Sequence, residues 1–216
     1  TKVGIKSDFA DGMRITDPES IHVIEMVLGG LVNKDLVKTI TALGGKAVGL
    51  SGKDGGLIRA KKVIGKGEFK NIDFKNTGTV QSIDPEVVRL LDGSSFIPVI
   101  APIGIGDDGK TYNINADIVA GKIAHILQAS KYLILTDTQG ILDADDKLIQ
   151  SINAEGVRSL ISRGVISKGM LPKVNSALEA VSSGVEHVQI INGTFDHSVL
   201  LELFTDEGIG TMIRRK

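Results

Sequence analysis

The sequence predicts an α/β protein whose central sheet is mostly parallel and sandwiched between helices. Fully apolar runs such as Tyr132-Leu133-Ile134-Leu135 alternate along the chain with segments whose apolar residues recur at helical spacing. Strands that are apolar on both faces need helices on both sides, as parallel sheets have. With 216 residues, the chain is long enough for one large domain or for two small lobes that share the sheet.

In the first half of the chain, a long helix precedes a pair of strands. Asp17-Pro18 supplies an N-cap and a proline at the first helical position, and the helical spacing of apolar residues continues to Gly44-Gly45. Residues 57–62 and 78–83 predict the two strands of a β-ribbon insertion. The other elements predicted here are a buried strand over residues 47–50, a helix from Asp84, a strand over residues 96–103 and a tight turn over residues 106–109.

In the second half, helices and strands alternate more regularly. Asn115 is positioned to cap a helix, and the apolar run that begins at Tyr132 predicts a buried strand. Further helices are predicted over residues 154–163, from Pro172 onward and after Asp196 as its cap, with a strand over residues 187–191. Sheets of this kind bind ligands at the carboxyl ends of their strands, so the segments after each strand are expected to carry the chemistry.

The composition excludes several classes of protein. Lys plus Arg number 25 and Asp plus Glu number 26, so no net charge attracts nucleic acid or an anionic membrane. The chain has no cysteine, which excludes disulfides and thiolate metal sites, and its low aromatic content of 4% argues against base-stacking platforms. No apolar run approaches the ~20 residues of a membrane span. Residues 1–6 show no signal-peptide pattern and read as the interior of a longer chain.

Three polar side chains stand at the start of the helix that Asn115 caps. Asp117 in the first turn is favoured by the helix dipole, whereas Asn113 lies outside the cap and is not needed for it. The spacing fits a richly capped helix as well as it fits a site. In a site, Asn113 would bind a substrate carboxylate or amide and Asp117 would orient cations.

A second candidate segment is Ser167-Lys168-Gly169-Met170-Leu171-Pro172-Lys173. Lys173 falls in the first turn of the predicted helix, where a cation opposes the helix dipole by roughly 0.3–1 kcal/mol. A phosphate bound at this helix end would make the lysine favourable, and Asp117 could pair with it. The alternative is a lysine that extends into solvent.

Two further segments complete the candidates. Asp137 follows an apolar strand, so its carboxylate could accept from a ribose hydroxyl or an exocyclic amine, or it could be an ordinary turn residue before Gly140. Arg14 precedes a helix start, and its guanidinium suits a carboxylate ligand, although an arginine at such a position is more often simply a surface residue. The four histidines show no metal-ligand spacing, and the phosphate-loop and dinucleotide glycine patterns are both missing.

Taken together and in this order, these segments resemble the acetylglutamate kinases of the amino-acid-kinase family, and the resemblance covers essentially the whole chain. It is carried by residues 12–17, 33–34, 47–56, 98–104, 112–117, 136–137, 140–143, 169–173 and 207–211. The resemblance implies the amino-acid-kinase fold. It also implies phosphoryl transfer from ATP, with Mg²⁺ held mainly by the nucleotide phosphates, to the side-chain carboxylate of N-acetyl-L-glutamate in arginine biosynthesis.

The resemblance also implies roles for individual residues. Arg14 and Asn113 would hold acetylglutamate, Lys173 would stabilise the transferring phosphoryl group, and Asp117 would orient the catalytic lysines. The nucleotide pocket would be lined by Asp137, Gly140, Ile141, Leu142, Gly169 and Met170. Residues 1–129 would form the acetylglutamate-binding and dimerisation lobe, incomplete at its N-terminus, and residues 130–216 the ATP-binding lobe.

The segment from Thr205 to Thr211 resembles the arginine-inhibited branch of the family, so feedback inhibition by L-arginine near Glu207 and Gly210 is a hypothesis. The resemblance implies a homodimer, paired through the helix after Asp17, or a hexamer built as a trimer of dimers. It further implies a cytoplasmic enzyme, or a plastid enzyme that binds the PII protein if the source is photosynthetic. No nucleic-acid or membrane partner is expected.

Two departures from the family keep other functions open. The family opens with two strands that end in a lysine and in glycines, which supply part of the phosphate site, and these are expected to be missing here. Lys168 and Gln139 are less typical of their positions. The alternatives are a sister carboxylate kinase acting on aspartate or glutamate, and a non-catalytic module that senses arginine or binds a partner.

Overall fold

The computed structural model describes residues 8–10, 13–65, 67–167, 169–205 and 208–215. The chain divides into two compact units, Thr1–Val119 and Ala120–Lys216. The α/β class with parallel strands and helices is confirmed. The division of binding roles at residue 129 stays a prediction.

The first unit begins with a hairpin and a long helical segment. Strands β1 (Asp8–Ala10) and β2 (Met13–Ile15) pair antiparallel. Helix α1 (Pro18–Ile24) continues through a π-helical turn (Glu25–Val32) into α2 (Asn33–Ala42). The long helix predicted from Asp17 to the glycine pair is therefore confirmed, with a π turn in its middle.

Two parallel strands pack against α2. They are β3 (Ala47–Ser51) and β6 (Ile97–Ala101), and helix α3 (Glu86–Gly93) lies between them in sequence. The side-chain amide of Asn33 donates to the main-chain oxygens of Leu50 (3.2 Å) and Val99 (2.8 Å). This buried side chain therefore joins the helix to both strands.

The predicted β-ribbon is part of a larger structure. Its strands are β4 (Ile58–Ile64) and β5 (Asp73–Ile83), which pair antiparallel as expected. Strands β7 (Ile103–Gly106) and β8 (Thr111–Ile114) join them to close a four-stranded barrel. The side chains of Phe74, Ile103, Tyr112 and Ile114 are buried there.

The second unit contains a four-stranded sheet in the order β10 (Ser151–Asn153), β12 (Thr211–Arg214), β11 (His187–Asn192), β9 (Lys131–Thr136). Strands β9 and β11 are parallel, and β12 runs antiparallel to β11. The helices that follow β8 are α4 (Ala116–Ile126), α5 (Ala154–Ser162), α6 (Met170–Ser182) and α7 (Ser198–Phe204). The apolar face of α6 packs into the core of this unit.

Each sheet that the structure describes consists of strands from the same unit. The parallel strands pair as β3 with β6 in the first unit and as β9 with β11 in the second, and a sheet shared by both lobes stays a prediction. In the described part of the chain, no helix is long and apolar enough to span a membrane.

Two predicted helix starts differ from the observed ones. Asp196 was expected to cap the last helix, but α7 has His197 at its N-cap in a left-handed conformation (φ 60°) with no side-chain capping bond. Helix α6 begins at Met170, before Pro172. Proline is tolerated there because backbone N–H groups in a first helical turn have no helical partner.

Candidate active site

The segment that carries Arg14 is fixed from behind by Thr77. The Thr77 hydroxyl on β5 donates to the main-chain oxygen of Arg14 and accepts from the backbone N–H of Thr16 at 3.0 Å. Thr77 and Thr16 are both buried, whereas Arg14 itself is exposed. The backbone that carries Arg14 is therefore held in place by Thr77.

Asn113 lies on the strand next to Thr77 and reaches the same segment. The two residues are register partners in the parallel pair of β5 and β8. The side-chain amide of Asn113 donates to the hydroxyl oxygen of Thr16 at 3.2 Å. The structure thus brings Asn113 to the segment that carries Arg14, and their common role in substrate binding stays a prediction.

Asn115 caps α4, and Asp117 lies in its first turn. The Asn115 side-chain oxygen accepts from the backbone N–H of Asp117 at 2.8 Å and of Ile118 at 3.4 Å. The capping role predicted for Asn115 is confirmed. Because Asn115 satisfies the cap, neither Asn113 nor the carboxylate of Asp117 is required for it.

In the second unit, the carboxyl ends of two parallel strands lie side by side. Thr136 of β9 is the register partner of Asn192 of β11, and the backbone N–H of Gly193 donates to the Thr136 oxygen at 2.8 Å. Asp137 follows at this edge with its side chain exposed. This is the position at which parallel sheets bind ligands.

The loop after Asp137 approaches the start of β12 closely. The backbone N–H of Ile141 donates to the hydroxyl oxygen of the buried Thr211 at 2.8 Å. Gly140 has φ 147°, and a side chain there would meet Thr211 Oγ1 at 2.6 Å. Glycine is therefore required at this position, and Ile141 is buried beside it.

The loop then closes through Leu142 and Asp143. Leu142 forms an isolated β-bridge with Leu148. The backbone N–H groups of Lys147 and Asp145 donate to the Asp143 carboxylate, and these bonds lower its pKa from the ordinary value. Asp143 is thus explained by the turn that it stabilises.

Gly169, Met170 and Lys173 all lie at the start of α6. Gly169 is the N-cap residue, Met170 packs partly against the core, and Lys173 is half-buried in the first turn. No acidic residue occupies that turn. The first backbone N–H groups of a helix favour anions, so this end suits a phosphate.

The first unit also contains a cavity of about 670 Å³ that none of the predicted site residues lines. It lies beside β8, with Thr111 and Tyr112 in its wall. Tyr112 donates to Asp108 at 2.9 Å, and burial together with this bond raises its pKa. The lining residues are Pro18, Ile21, His22, Lys62, Asp73, Lys75, Asn76, Gly109, Lys110, Thr111 and Tyr112.

Two of the predicted or discussed residues, Glu207 and Lys168, lie outside the described residues. Gly210 is described, and a side chain there would meet the main-chain oxygen of Ile190 at 2.2 Å. Among the described residues, no three His, Asp or Glu side chains group as metal ligands would.

Comparison with known proteins places this fold and these motifs in one family. The sequence profile of the amino acid kinase family matches residues 1–192. The chain belongs to the amino acid kinase family. This amino acid kinase is 53% identical to the acetylglutamate kinase of Halorhodospira halophila, in an alignment that covers 100% of the chain and 74% of that relative.

Two solved structures of N-acetylglutamate synthase from Neisseria gonorrhoeae resemble this amino acid kinase. The first, complexed with coenzyme A and N-acetyl-glutamate, gives a TM-score of 0.88 at 28% identity and covers 100% of this chain. The second, complexed with coenzyme A and L-arginine, gives 0.77 at 27% identity and covers 99% of this chain. The present chain spans 48% and 50% of the lengths of those two chains.

The structure of this amino acid kinase reveals three threonines that the sequence patterns did not single out. Thr16 and Thr77 hold the segment of Arg14, and Thr211 holds the loop at Ile141. Thr16 and Thr211 lie inside motifs already noted, so their position beside candidate residues could have indicated a supporting role. Thr77 has no such signal, because its role depends on the pairing of β5 with β8.

Proposed function

We propose that this amino acid kinase transfers the γ-phosphoryl group of ATP to the side-chain carboxylate of N-acetyl-L-glutamate. The observation that carries this proposal is the 53% identity, over the whole chain, to a relative named acetylglutamate kinase. In the reaction, a carboxylate oxygen attacks the γ-phosphorus and the bond to the bridging oxygen breaks. The products are ADP and an acyl phosphate.

Arg14 and Asn113 are the groups that hold acetylglutamate in this proposal. A guanidinium and an amide can bind a carboxylate through several directed hydrogen bonds. The assignment is supported by Thr77, whose hydroxyl bonds both the Arg14 main-chain oxygen and the Thr16 backbone N–H, and by the bond from the Asn113 amide to the Thr16 hydroxyl. Prior positioning of a substrate is a large part of the catalysis that phosphoryl transfer needs.

Lys173 is the proposed catalytic cation. A lysine in the first turn of α6 opposes the helix dipole, and an anion bound at this helix end would offset that unfavourable interaction. A phosphoryl group at this helix end would receive both the ammonium and the backbone N–H groups. Asp117, in the first turn of α4, is the proposed carboxylate that orients the catalytic cations.

The nucleotide is assigned to the strand edge of the second unit. Asp137 and the loop over Gly140, Ile141 and Leu142 follow β9, and Gly169 and Met170 begin α6. These residues offer backbone groups and an exposed carboxylate for a nucleoside. Mg²⁺ would be carried mainly by the phosphates of ATP, which the cation partly neutralises.

The assembly proposed is a homodimer paired through the helical segment after Asp17, or a hexamer built from three such dimers. Its support is a set of exposed apolar side chains on that segment: Met26, Val27, Leu31, Val32 and Leu36. Exposed apolar surface of this kind is typical of a protein interface. Inhibition by L-arginine near Glu207 and Gly210, and PII binding in a photosynthetic source, belong to the same proposal.

A second candidate is a non-catalytic module that binds L-arginine. It is favoured by the similarity of the whole chain to about half of the synthase solved with coenzyme A and L-arginine. The kinase assignment rests on much higher identity, 53% against 27%. A sister kinase for aspartate or glutamate is the third alternative, and a substrate panel separates all three.

The complete gene product is incubated with Mg-ATP and N-acetyl-L-glutamate, L-glutamate or L-aspartate, and the acyl phosphate is trapped with hydroxylamine. We expect ATP-dependent hydroxamate with N-acetyl-L-glutamate alone. Product with aspartate or glutamate instead would identify the sister kinase. If no product forms with any of the three acids and calorimetry detects binding of L-arginine, the non-catalytic sensing module is the remaining candidate.

A further inference from the structure

Thr211 controls the geometry of the loop that begins the nucleotide site. It is the first residue of β12, it is fully buried, and its hydroxyl oxygen accepts the backbone N–H of Ile141 at 2.8 Å. A side chain at Gly140 would lie 2.6 Å from the same oxygen and 3.1 Å from the Thr211 nitrogen. The loop is therefore in direct contact with Thr211, through the Ile141 hydrogen bond and through the close approach of Gly140.

Glu202 holds the segment that leads into Thr211. Its carboxylate is buried on α7, where it accepts from the side-chain amide of Gln189 and from the backbone N–H of Ile209 at 2.8 Å. Gly208 lies against the same carboxylate, because a side chain there would come within 3.1 Å of it. A buried carboxylate needs such donors to offset its loss of hydration.

The short segment over residues 208–211 is thus fixed at both of its ends and in its middle. Glu202 holds it at Ile209, the strand β11 contacts it at Gly210, and Ile141 is bonded to it at Thr211. All of these contacts lie within the second unit. A displacement at Ile209 must therefore move Thr211 or strain this segment.

We propose that Thr211 and Glu202 are positioning residues for nucleotide binding, Thr211 through the Ile141 backbone and Glu202 through residues 208–210. This inference rests on the proposed placement of ATP at Gly140, Ile141 and Leu142. Neither side chain touches the nucleotide in the proposal. Their effect is to hold the backbone that does, so their loss weakens ATP binding and leaves acetylglutamate binding unchanged.

The first test replaces Thr211 by valine, which keeps the shape of the side chain and removes the acceptor. T211V leaves the buried Ile141 N–H without its partner, so we expect the KM for ATP to rise about tenfold. T211S keeps the hydroxyl and is expected to stay within about twofold of the wild-type KM. The affinity for a non-hydrolysable ATP analogue, measured by calorimetry, should change in parallel.

Glu202 provides an independent variant that preserves size. E202Q retains one acceptor for Ile209 but loses the charge that strengthens this bond and the second oxygen that accepts from Gln189, so a rise of about threefold in the KM for ATP is expected. Thermal unfolding and circular dichroism show whether T211V folds. If it does not, the nucleotide affinity of E202Q tests the proposal instead. Wild-type affinity in E202Q would then overturn the proposal.

A purely structural role would lower the melting temperature without separating the two substrates. The proposal requires a selective rise in the KM for ATP while the KM for N-acetyl-L-glutamate stays unchanged. A folded T211V with wild-type nucleotide affinity would overturn it. If the wild-type protein makes no acyl phosphate but its nucleotide affinity still depends on Thr211, the proposed function fails and this inference stands.

Discussion

Asn113 and Thr16 are 97 positions apart in the sequence, yet the Asn113 side-chain amide donates to the Thr16 hydroxyl oxygen at 3.2 Å. This bond joins β8 to the segment that carries Arg14. Thr77 supports the same segment from the neighbouring strand through its own hydroxyl. The backbone that carries Arg14 and the side chain of Asn113 are therefore linked through one hydrogen-bonded network.

Replacing Thr77 by valine tests this network. T77V removes the bond to the Arg14 main-chain oxygen and the acceptor for the buried backbone N–H of Thr16, and the loss at Thr16 costs about 1–3 kcal/mol. We expect a lower free energy of unfolding and a rise of about tenfold in the KM for N-acetyl-L-glutamate, with the KM for ATP unchanged. T79V, on the same strand, is the control. Equal effects of T77V and T79V would contradict the network.

Asp17 gives a prediction for acid pH. The backbone N–H of Ser20 donates to its carboxylate at 2.7 Å and that of Glu19 at 3.0 Å, and these bonds lower its pKa below 3.8. Because the folded pKa is depressed, the stabilisation is present above the unfolded value and is lost as pH falls through the folded pKa. D17A should reduce the free energy of unfolding by about 1 kcal/mol near neutral pH.

The measurement is urea unfolding of wild type and D17A across the acid range. The difference between them should shrink as pH falls below about 4. D17N keeps a good capping residue without a titrating carboxyl, so its stability relative to D17A should not follow this pH dependence. A wild-type advantage that stays constant with pH would show that the carboxylate cap is not its source.

Gly49 is required by its contact with Asn33. A side chain at Gly49 would lie 1.9 Å from the Asn33 side-chain oxygen, so G49A must displace the amide that joins β3 to β6. We expect a loss of about 2 kcal/mol in the free energy of unfolding. G93A, at a helix position with open space around it, should be neutral or slightly stabilising.

The double mutant separates this contact from general damage. Once N33A has removed the amide, G49A no longer has that clash, so the two losses should be less than additive. Chemical denaturation of the two single mutants and the double mutant measures the coupling. Strict additivity would mean that Asn33 is not the reason for the glycine.

The exposed apolar face of the long helix predicts self-association. The double variant M26D/L31D replaces two exposed apolar residues (64% and 63%) by aspartate. It should dissociate the assembly, because it places charge in the proposed interface. Sedimentation velocity should show a loss of mass relative to wild type. L90D changes an equally exposed leucine (69%) on α3 and should not alter the mass. A double variant that keeps the wild-type mass would place the interface elsewhere.

Local sequence patterns predicted most of the elements because each depends on nearby residues. The helix start at Asp17, the cap at Asn115 and the ribbon strands all follow from short-range periodicity and turn chemistry. The prediction at Asp196 was wrong, since an acidic residue before a helix is only a tendency and His197 occupies the cap.

Contacts between distant residues could not be predicted in this way. The barrel closes because β7 and β8 join the ribbon, and the sequence of one strand does not determine which other strands pair with it. The bonds of Thr77 to Thr16 and of Thr211 to Ile141 likewise depend on which strands meet. The candidate site residues and their order could be predicted from the sequence. The threonines that hold them in place could be identified only from the fold.

The hydroxamate assay on site variants of the complete gene product tests the central claim most directly. K173A should lower kcat by roughly 100-fold or more, since it removes a preorganised cation from the transferring phosphoryl group. N113A should mainly raise the KM for N-acetyl-L-glutamate, by about tenfold. The exposed controls K131A and N71A should match wild type. Wild-type kcat/KM in both K173A and N113A would contradict the account.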